Sequence, residues 1–447
     1  MNEENRIELL KLLETNNYRE LKNNLIKYNE VDIAEFLQEI DKLEALAIFR
    51  LLPEAIAIET FSYLESDVQE QFISAMTSYE TVELVDKLYI DDMVDLLEEM
   101  PNSIVNKIMR NLKGEKRNLI NEYLNYPKDS AGSIMTSAFF SVNENRTIED
   151  ILKKMRKLDL LDETFYTLYI TDNNNVLKGY VEIREMLINQ PDTKISDILN
   201  ENVVYVETIE DKEEVAKLID KYEFLTIPVV DKEKKLVGVV TFDDAIQVLN
   251  EETEEDFSKM AAITPNENKY LDTSIFELSK MRFLWLLLLM MSSTLSQFVI
   301  NSFNDVITAL TGLVAFMPML TDSAGNAGSQ SSTTIIRGLS IGEIELSDTP
   351  KILAKEFMIA LVVGFGLAAI NFVRIILFGG VSTTMAFSVS LSLLITIIFS
   401  KLIGALLPVG ATLLKWDPTI MAAPLLTTIV DSMSLFVYFT IAKLLLL

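Results

Sequence analysis

Through residues 1–128 the apolar positions return every three or four residues and almost never alternate, which predicts a stack of short amphipathic helices. A weak repeat runs through them at a spacing of 48: Ala34, Leu37 and Ile40 correspond to Val82, Val85 and Leu88, Leu46 and Phe49 to Val94 and Leu97, and Pro53 to Pro101. Paired helices stacked as a small solenoid bury such faces on one another, with Pro53 and Pro101 opening helices where a missing amide hydrogen is harmless. From Ser130 the period changes. Residues 165–170 and 176–181 read as strands around the turn Asp172-Asn173-Asn174-Asn175, preceded by a helix over 148–158. The order recurs as helix 213–222, strand 226–230, turn 231–234 and strand 236–241, so two βαβ-like units are expected. An acidic helical connector over 243–280 follows, and then five apolar segments at 283–300, 306–335, 357–378, 385–413 and 420–445. Segments of this length cross a hydrocarbon core of roughly 30 Å as helices. The first, third and fifth read as plain spans; the second holds Pro318 and a small polar run, and the fourth Lys401 and Pro408.

The paired signals Ile134-Met135-Thr136 and Ile198-Leu199-Asn200, with Gly179 and Gly238 in equivalent strands, resemble a tandem of CBS domains. The expected fold class is a multidomain membrane protein: an all-α superhelical N-domain (1–128), α/β CBS domains (129–192 and 193–250), an α connecting or plug helix (251–280) and a five-helix transmembrane domain (281–447). Basic residues set its orientation. With a cytoplasmic start, the loop after the second span carries Arg337, Lys351 and Lys355 and the loop after the fourth carries Lys415, whereas residues 379–384 carry no base. This pattern places the amino-terminal domains in the cytoplasm, the spans in the inner (plasma) membrane and the carboxyl end outside.

Charge sharpens the division. Of 66 acidic and 39 basic side chains, residues 281–447 hold eight of each, so the whole net charge of −27 belongs to residues 1–280. An acidic surface repels nucleic acid and anionic head groups and attracts divalent cations. Without cysteine or histidine, the chain has no thiolate chemistry, no histidine-based triad and no soft ligand set for zinc or copper. A bound metal must be held by oxygen, which suits magnesium, calcium or manganese. No phosphate-cradling glycine loop and no nucleophile-base pair occurs, so an enzyme is not expected. The first residues are polar and charged, with no apolar core of a secretory signal.

Asp431 lies midway along the last apolar stretch, where an ionised side chain is costly unless it faces water or an ion. Thr427 is four residues before it and Thr428 three, so hydroxyls and carboxylate share a helix face. Pro424 would free a backbone carbonyl one turn before it as a further oxygen ligand. In the second span, residues 318–330 replace oily side chains with small and oxygen-bearing ones. Tight helix packing accounts for the glycines, but Asp322 and Asn326 need polar partners at this depth. Magnesium dehydrates reluctantly and is held through few carboxylate and carbonyl contacts. One aspartate per chain is a thin ligand set, and a symmetric dimer would bring two copies of Asp431 to a shared axis, so a homodimer is expected. Lys401 is either a counter-charge inside the bundle or a snorkelling side chain.

Over nearly its whole length, in order, the chain resembles the MgtE family of magnesium channels and transporters, most specifically at Gly325-Asn326-Ala327-Gly328 and from Asp417-Pro418 to Asp431. The resemblance implies that Asp431 is the selectivity residue on a dimer axis and that Asp417 lies near the cytoplasmic mouth of the pore. It also implies regulatory magnesium among Glu59, Asp91, Asp92 and Asp95 of the helical domain, Asp243 and Asp244 after the second CBS strand, and Glu255 and Asp256 in the connector. Magnesium there would screen mutual repulsion and favour a closed pore, a shift of population between two states. Two positions depart from the family pattern, Ala324 and Ser434, where the family has glycine; they bear on helix packing and gating rather than on carboxylate chemistry. Thr241 and Asp244 stand where CBS modules often hold an adenosine ribose, which admits ATP as a modulator; a strand-ending turn with a helix cap is the preferred account of the two residues. Rival readings are a similar transporter preferring manganese or cobalt, and a membrane-anchored nucleotide or cation sensor without transport.

Overall fold

The computed structural model describes residues 1–156, 164–265, 270–271, 273–421 and 423–447. It divides into two compact units, Met1–Asn250 and Glu251–Leu447.

The first unit opens with helices α1 (Glu3–Glu14), α2 (Tyr18–Leu25), α3 (Glu30–Glu39), α4 (Lys42–Phe49), α5 (Glu54–Ser62), α6 (Ser66–Ala75), α7 (Ser78–Val85), α8 (Ile90–Glu99), α9 (Asn102–Asn111) and α10 (Gly114–Tyr123). From α3 to α10 every helix starts 12 residues after its predecessor, at 30, 42, 54, 66, 78, 90, 102 and 114. The 48-residue repeat is thus four beats of a one-helix period. Helices this short are marginal alone, since isolated helices need about 12–15 residues. Each is held by the apolar side chains it buries, among them Ile33, Phe61, Phe72 and Met93. Corners are closed by Asn29, Asp41 and Thr77, whose side chains accept helix-start amides, while Pro53 and Pro101 directly precede α5 and α9.

A short helix α11 (Ala131–Ile134) leads into two like halves. The first runs β1 (Phe139–Asn143), α12 (Ile148–Met155), β2 (Thr164–Thr171), β3 (Leu177–Glu182) and α13 (Ile183–Ile188). The second runs β4 (Val206–Glu207), α14 (Lys212–Tyr222), β5 (Thr226–Val230), β6 (Leu236–Thr241) and α15 (Phe242–Met260). Helix α12 ends at Met155; Leu158, to which the periodicity extended it, lies outside the described residues. In each sheet the first two strands are parallel and the last two antiparallel, which the connecting helix requires. The two halves exchange their lead-in segments. Thr136, before the first half, pairs with Val239 of β6, and Asn200, before the second, pairs with Tyr180 of β3. This exchange explains the glycines at equivalent positions: a Cβ on Gly179 would stand 2.2 Å from the Asn200 carbonyl oxygen, and one on Gly238 3.0 Å from that of Thr136.

Helix α15 begins directly at the end of β6 and stops at Met260, so the connector is not one helix over 251–280. Ala262 takes a positive φ of 53°, and Pro265 disfavours helix in the residue before it. The chain resumes as α16 (Ile275–Ser292) and α17 (Thr294–Ser302). Between them Ser292, Ser293 and Thr294 each turn a hydroxyl onto a carbonyl three residues back, competing with the helical ladder. The expected second span, 306–335, is α18 (Asn304–Ala309), a 3-10 turn over Thr311–Phe316 and α19 (Met317–Ser340), with Pro318 in the first turn of α19. Helices α20 (Thr349–Phe378), α21 (Thr383–Leu413) and α22 (Ala423–Leu446) complete the unit. Among the described residues four stretches are long and apolar enough to span a membrane: Ile275–Ser302, Leu346–Phe378, Thr383–Leu413 and Pro418–Leu446. The fifth expected span rests on α19, whose 24 residues reach about 36 Å, but whose composition is too polar to qualify by hydropathy.

Helix α19 packs against both α21 and α22. A Cβ on Gly404 of α21 would meet the Gly328 carbonyl oxygen of α19 at 2.3 Å, so these helices touch backbone to backbone. Replacing Gly404 by alanine is expected to destabilise this unit by about 1–3 kcal/mol, the usual cost of overpacking. A lowered melting temperature in detergent would register it; an unchanged one would mean that α21 moves aside freely.

Candidate functional site

Two groups of residues carry the chemistry, one in each unit. In the second unit, Asp431 lies in the third turn of α22 and Asp322 in the first part of α19, and the two carboxylates act on one another electrostatically. Their helices are brought close by small residues: a Cβ on Gly325 would lie 3.2 Å from Thr427 Cγ2, and one on Gly328 3.3 Å from Leu426 Cδ2. Asp322, Asn326 and Gln330 recur every four residues and all are exposed on the protomer. A polar stripe on a membrane helix cannot face hydrocarbon without large cost, so it faces water or protein. Thr427 and Thr428 share the α22 face expected of them, and both hydroxyls donate to the Pro424 carbonyl, at 3.0 and 3.2 Å, leaving oxygen lone pairs free. Pro424 is the second residue of α22, so it interrupts no helical bond and frees no carbonyl one turn earlier, contrary to the sequence expectation.

Asp417 stands just before α22. Its Oδ1 accepts the Thr419 amide at 2.8 Å and the Thr419 hydroxyl at 2.5 Å, and its Oδ2 accepts Lys259 Nζ at 2.7 Å. Partial burial works to raise its carboxyl pKa, yet the bonds from Lys259 and Thr419 prevail and hold it below the usual carboxylate range. Lys259, near the end of α15, also pairs with Glu255 one turn back, at 2.5 Å; Asp256 follows Glu255 on the same helix. The sequence carried a signal for Lys259 in its i,i+4 spacing from Glu255, but none for its reach to Asp417.

The third helical span is less plain than its hydropathy. Buried within α20 are Glu356, which the expected boundary at 357 excluded, and Asn371. Arg374 donates to Asn371 Oδ1 at 2.9 Å, whose amide reaches Ser390 of α21. Lys401 is a counter-charge inside the bundle: its Nζ lies 3.5 Å from Glu356 Oε2 and donates to Ser331 Oγ at 3.2 Å.

In the first unit, acids converge where two helices begin. Asp91 and Asp92 occupy the first turn of α8 with Asp95 one turn on, and Asp243 and Asp244 occupy the first turn of α15. Helix N-termini favour negative charge, which offsets part of the mutual repulsion. Burial first, then Asp92, Asp244 and Asp95, hold the Asp91 carboxyl well above the usual range, and its Oδ1 has no hydrogen-bond partner. Burial also raises Asp92, against a 2.8 Å bond from the Ser62 hydroxyl, with Asp243 adding to the rise. Asp95 keeps an exposed edge yet is pushed up to about 7, by loss of hydration first and then by Asp92 and Asp244. Asp244 is pushed up to about 6 by burial, although the Thr241 hydroxyl donates to it at 2.5 Å. That bond ties the end of β6 to the first turn of α15. Tyr63, at the end of α5, is raised by burial and then by Asp243, Asp92, Glu59 and Glu30, which places Glu59 at the edge of the same cluster. Ser62 and Tyr63 escaped sequence reasoning because neither is charged. Among the described residues no three carboxylates close into a ready metal cage. The donor set nevertheless fits a hard cation: all oxygen, one carboxylate oxygen unsatisfied, and acids whose ionised form burial first, and then crowding, disfavours.

Fold and site together define a class, membrane transporters for divalent cations that carry a cytosolic helical domain and a CBS pair. Comparison with known proteins agrees. A family described as divalent cation transporter, MgtE, matches residues 317–441; the MgtE intracellular N domain matches 28–129; and the CBS domain matches 131–190 and 195–251. The magnesium transporter MgtE of Thermus thermophilus is 30% identical over 449 residues, 100% of this chain and 99% of its own. That of Bacillus subtilis is 30% identical over 92% of this chain and 93% of its own. A crystal structure of the soluble part of a magnesium transporter covers 56% of this chain and 98% of its own, at 30% identity and a TM-score of 0.53. The cytosolic domain of the Mg2+ channel MgtE in complex with ATP covers 54% and 99%, at 31% identity and a TM-score of 0.51. The chain belongs to the MgtE family of magnesium transporters.

Proposed function

We propose that this chain forms a homodimeric, magnesium-selective channel of the inner membrane that admits magnesium down its electrochemical gradient and closes when cytoplasmic magnesium rises. The observation that carries the pore is the electrostatic contact of Asp431 with Asp322, the first of the exposed positions Asp322, Asn326 and Gln330 in the most polar of the membrane helices. A second copy would set another Asp431 beside the first and enclose a water-filled path along that stripe, giving a hydrated ion several carboxylate contacts. Five spans, with α19 among them, put the amino-terminal domains in the cytoplasm and the carboxyl end outside, in keeping with Arg337, Lys351, Lys355 and Lys415.

Closure follows from the acids. Magnesium among Asp91, Asp92, Asp95, Asp243, Asp244 and Glu59 would neutralise carboxylates that burial and mutual repulsion make costly to ionise, as at Asp91, Asp95 and Asp244, and Glu255 and Asp256 extend the acidic surface along α15. A ligand shifts a conformational equilibrium only by its differential affinity, so magnesium must bind the closed arrangement better. The Lys259 bridge from α15 to Asp417 gives the connector a physical hold on the approach to α22. ATP at the CBS pair, near Thr241 and Asp244, would modulate this coupling, as the ATP complex of a related cytosolic domain suggests. The test is magnesium flux into proteoliposomes with low and with millimolar magnesium at the cytoplasmic face, with manganese, cobalt and calcium as competitors. Suppression by cytoplasmic magnesium is expected. Flux indifferent to it removes the sensor, and absence of flux in both conditions favours an anchored sensor.

A further inference from the structure

We propose that Ser331, held between Lys401 and Glu356, is a positioning residue that fixes the rotation of α19 and so aims the Asp322-Asn326 stripe. The proposal rests on the reading of that stripe as pore-facing. Ser331 is 1% exposed, Lys401 5% and Glu356 7%, and each comes from a different helix, α19, α21 and α20. The Ser331 hydroxyl donates to Glu356 Oε2 at 2.6 Å and accepts from Lys401 Nζ at 3.2 Å, whereas the two charges are 3.5 Å apart. The serine is therefore the link, and the ion pair closes through it.

Several other hydroxyls in these helices behave differently. Thr334, Ser392 and Ser400 turn back onto the carbonyl four residues earlier, the usual resort of a hydroxyl in a membrane helix. Ser331 instead spends both its donor and an acceptor site between helices. A buried ion pair is weak evidence for stability, because an apolar set of equal volume often serves as well; fixing register is its best-attested use. The geometry suits that use. Asp322 precedes Ser331 by nine residues, which at about 100° per residue sets it about 180° round the helix. Anchoring one face thus orients the opposite one, and a slip of one residue would swing Asp322 away from Asp431. One turn before Ser331, the contact of Gly328 with Gly404 fixes the distance between helices; a bare glycine pair leaves rotation free, and the charged clamp removes that freedom.

The chain has no cysteine, so single cysteines report cleanly. In otherwise unaltered full-length protein, a water-soluble thiol reagent should label Asn326→Cys much faster than Ala327→Cys, whose site is buried. Adding Ser331→Ala should cut that ratio at least about fivefold, because neighbouring positions lie about 100° apart and a helix free to rotate between them evens out their exposure. Ser331→Thr, which keeps the hydroxyl, should restore it. If Ser331→Ala fails to assemble, the Lys401→Met/Glu356→Met double variant keeps the volume without the charges and is read the same way. A ratio preserved in these backgrounds overturns the clamp. A ratio near one in the unaltered background overturns the pore-facing reading of the stripe, and the clamp with it. Loss of magnesium preference over manganese in Ser331→Ala, at equal protein in the membrane, is the second expected readout.

Discussion

Asp431→Ala is expected to bring magnesium uptake by proteoliposomes down to the level of empty vesicles, while the purified protein elutes and melts much as its parent does. The split between function and stability follows from what surrounds the side chain. Neither Asp431 nor Asp322 accepts a side-chain hydrogen bond among the described residues, and the two carboxylates repel one another. Removing one therefore breaks no internal bond and relieves a like-charge contact, so folding should gain slightly or be unchanged. Transport has no such compensation: with the carboxylate gone, the oxygen donors left on this face of α22 are the Thr427 and Thr428 hydroxyls, which carry no charge to hold a hydrated divalent ion. Asp431→Asn separates charge from shape. It should fail nearly as badly, since the amide keeps the size and loses the charge. Uptake surviving in either variant would move the ion site elsewhere.

The second large effect concerns pH and magnesium together. Unfolded aspartate titrates near 3.9, whereas Asp95 is pushed up to about 7 and Asp244 up to about 6, with Asp91 well above its ordinary range. Because the folded state holds these protons more tightly, its stability relative to the unfolded chain is fully present below about pH 4 and is lost as pH rises through about 6 and 7. In chelator, protease resistance of the full-length chain should therefore fall steeply between pH 5 and pH 8 at the cytosolic unit. Magnesium should restore it above pH 7, where the carboxylates are bare, and do little at pH 5, where protons already occupy them. The Asp95→Asn/Asp244→Asn variant should lose most of both responses and, in flux, remain open at magnesium levels that close the parent. A pH profile unchanged by that double substitution would show that the cluster carries no linkage.

The sequence spoke most clearly where one residue pattern had one physical solution. Strands β5 and β6 lie at the residues the sequence assigned, because Thr226–Val230 and Leu236–Thr241 are apolar runs rich in β-branched residues around a turn from Asp231 to Lys234. The family was legible for a similar reason: Gly325 and Gly328 sit at close helix approaches that other side chains would obstruct. What escaped is tertiary. A 48-residue repeat was visible while its 12-residue beat was not, since equivalent corners are built from Asn, Asp, Pro, Glu, Thr, Tyr and Lys, residues with no common signature. Connector length was overestimated because charge pattern alone cannot reveal where α15 breaks. The partners of Lys401 were invisible for want of any local spacing: Ser331 and Glu356 are 70 and 45 residues away in sequence.

The crossed lead-in segments of the CBS pair have a consequence for how the cytosolic unit can behave. Thr136 completes the sheet of the later repeat and Asn200 that of the earlier one, so each repeat borrows backbone hydrogen bonds from residues written outside it. Severing the chain between repeats would leave both with a raw strand edge, and neither half should survive as a soluble fragment. The pair is one cooperative body in two sequence copies. Whatever grips the start of α15 must then be felt by both copies at once, which makes the module a rigid lever rather than two independent readers.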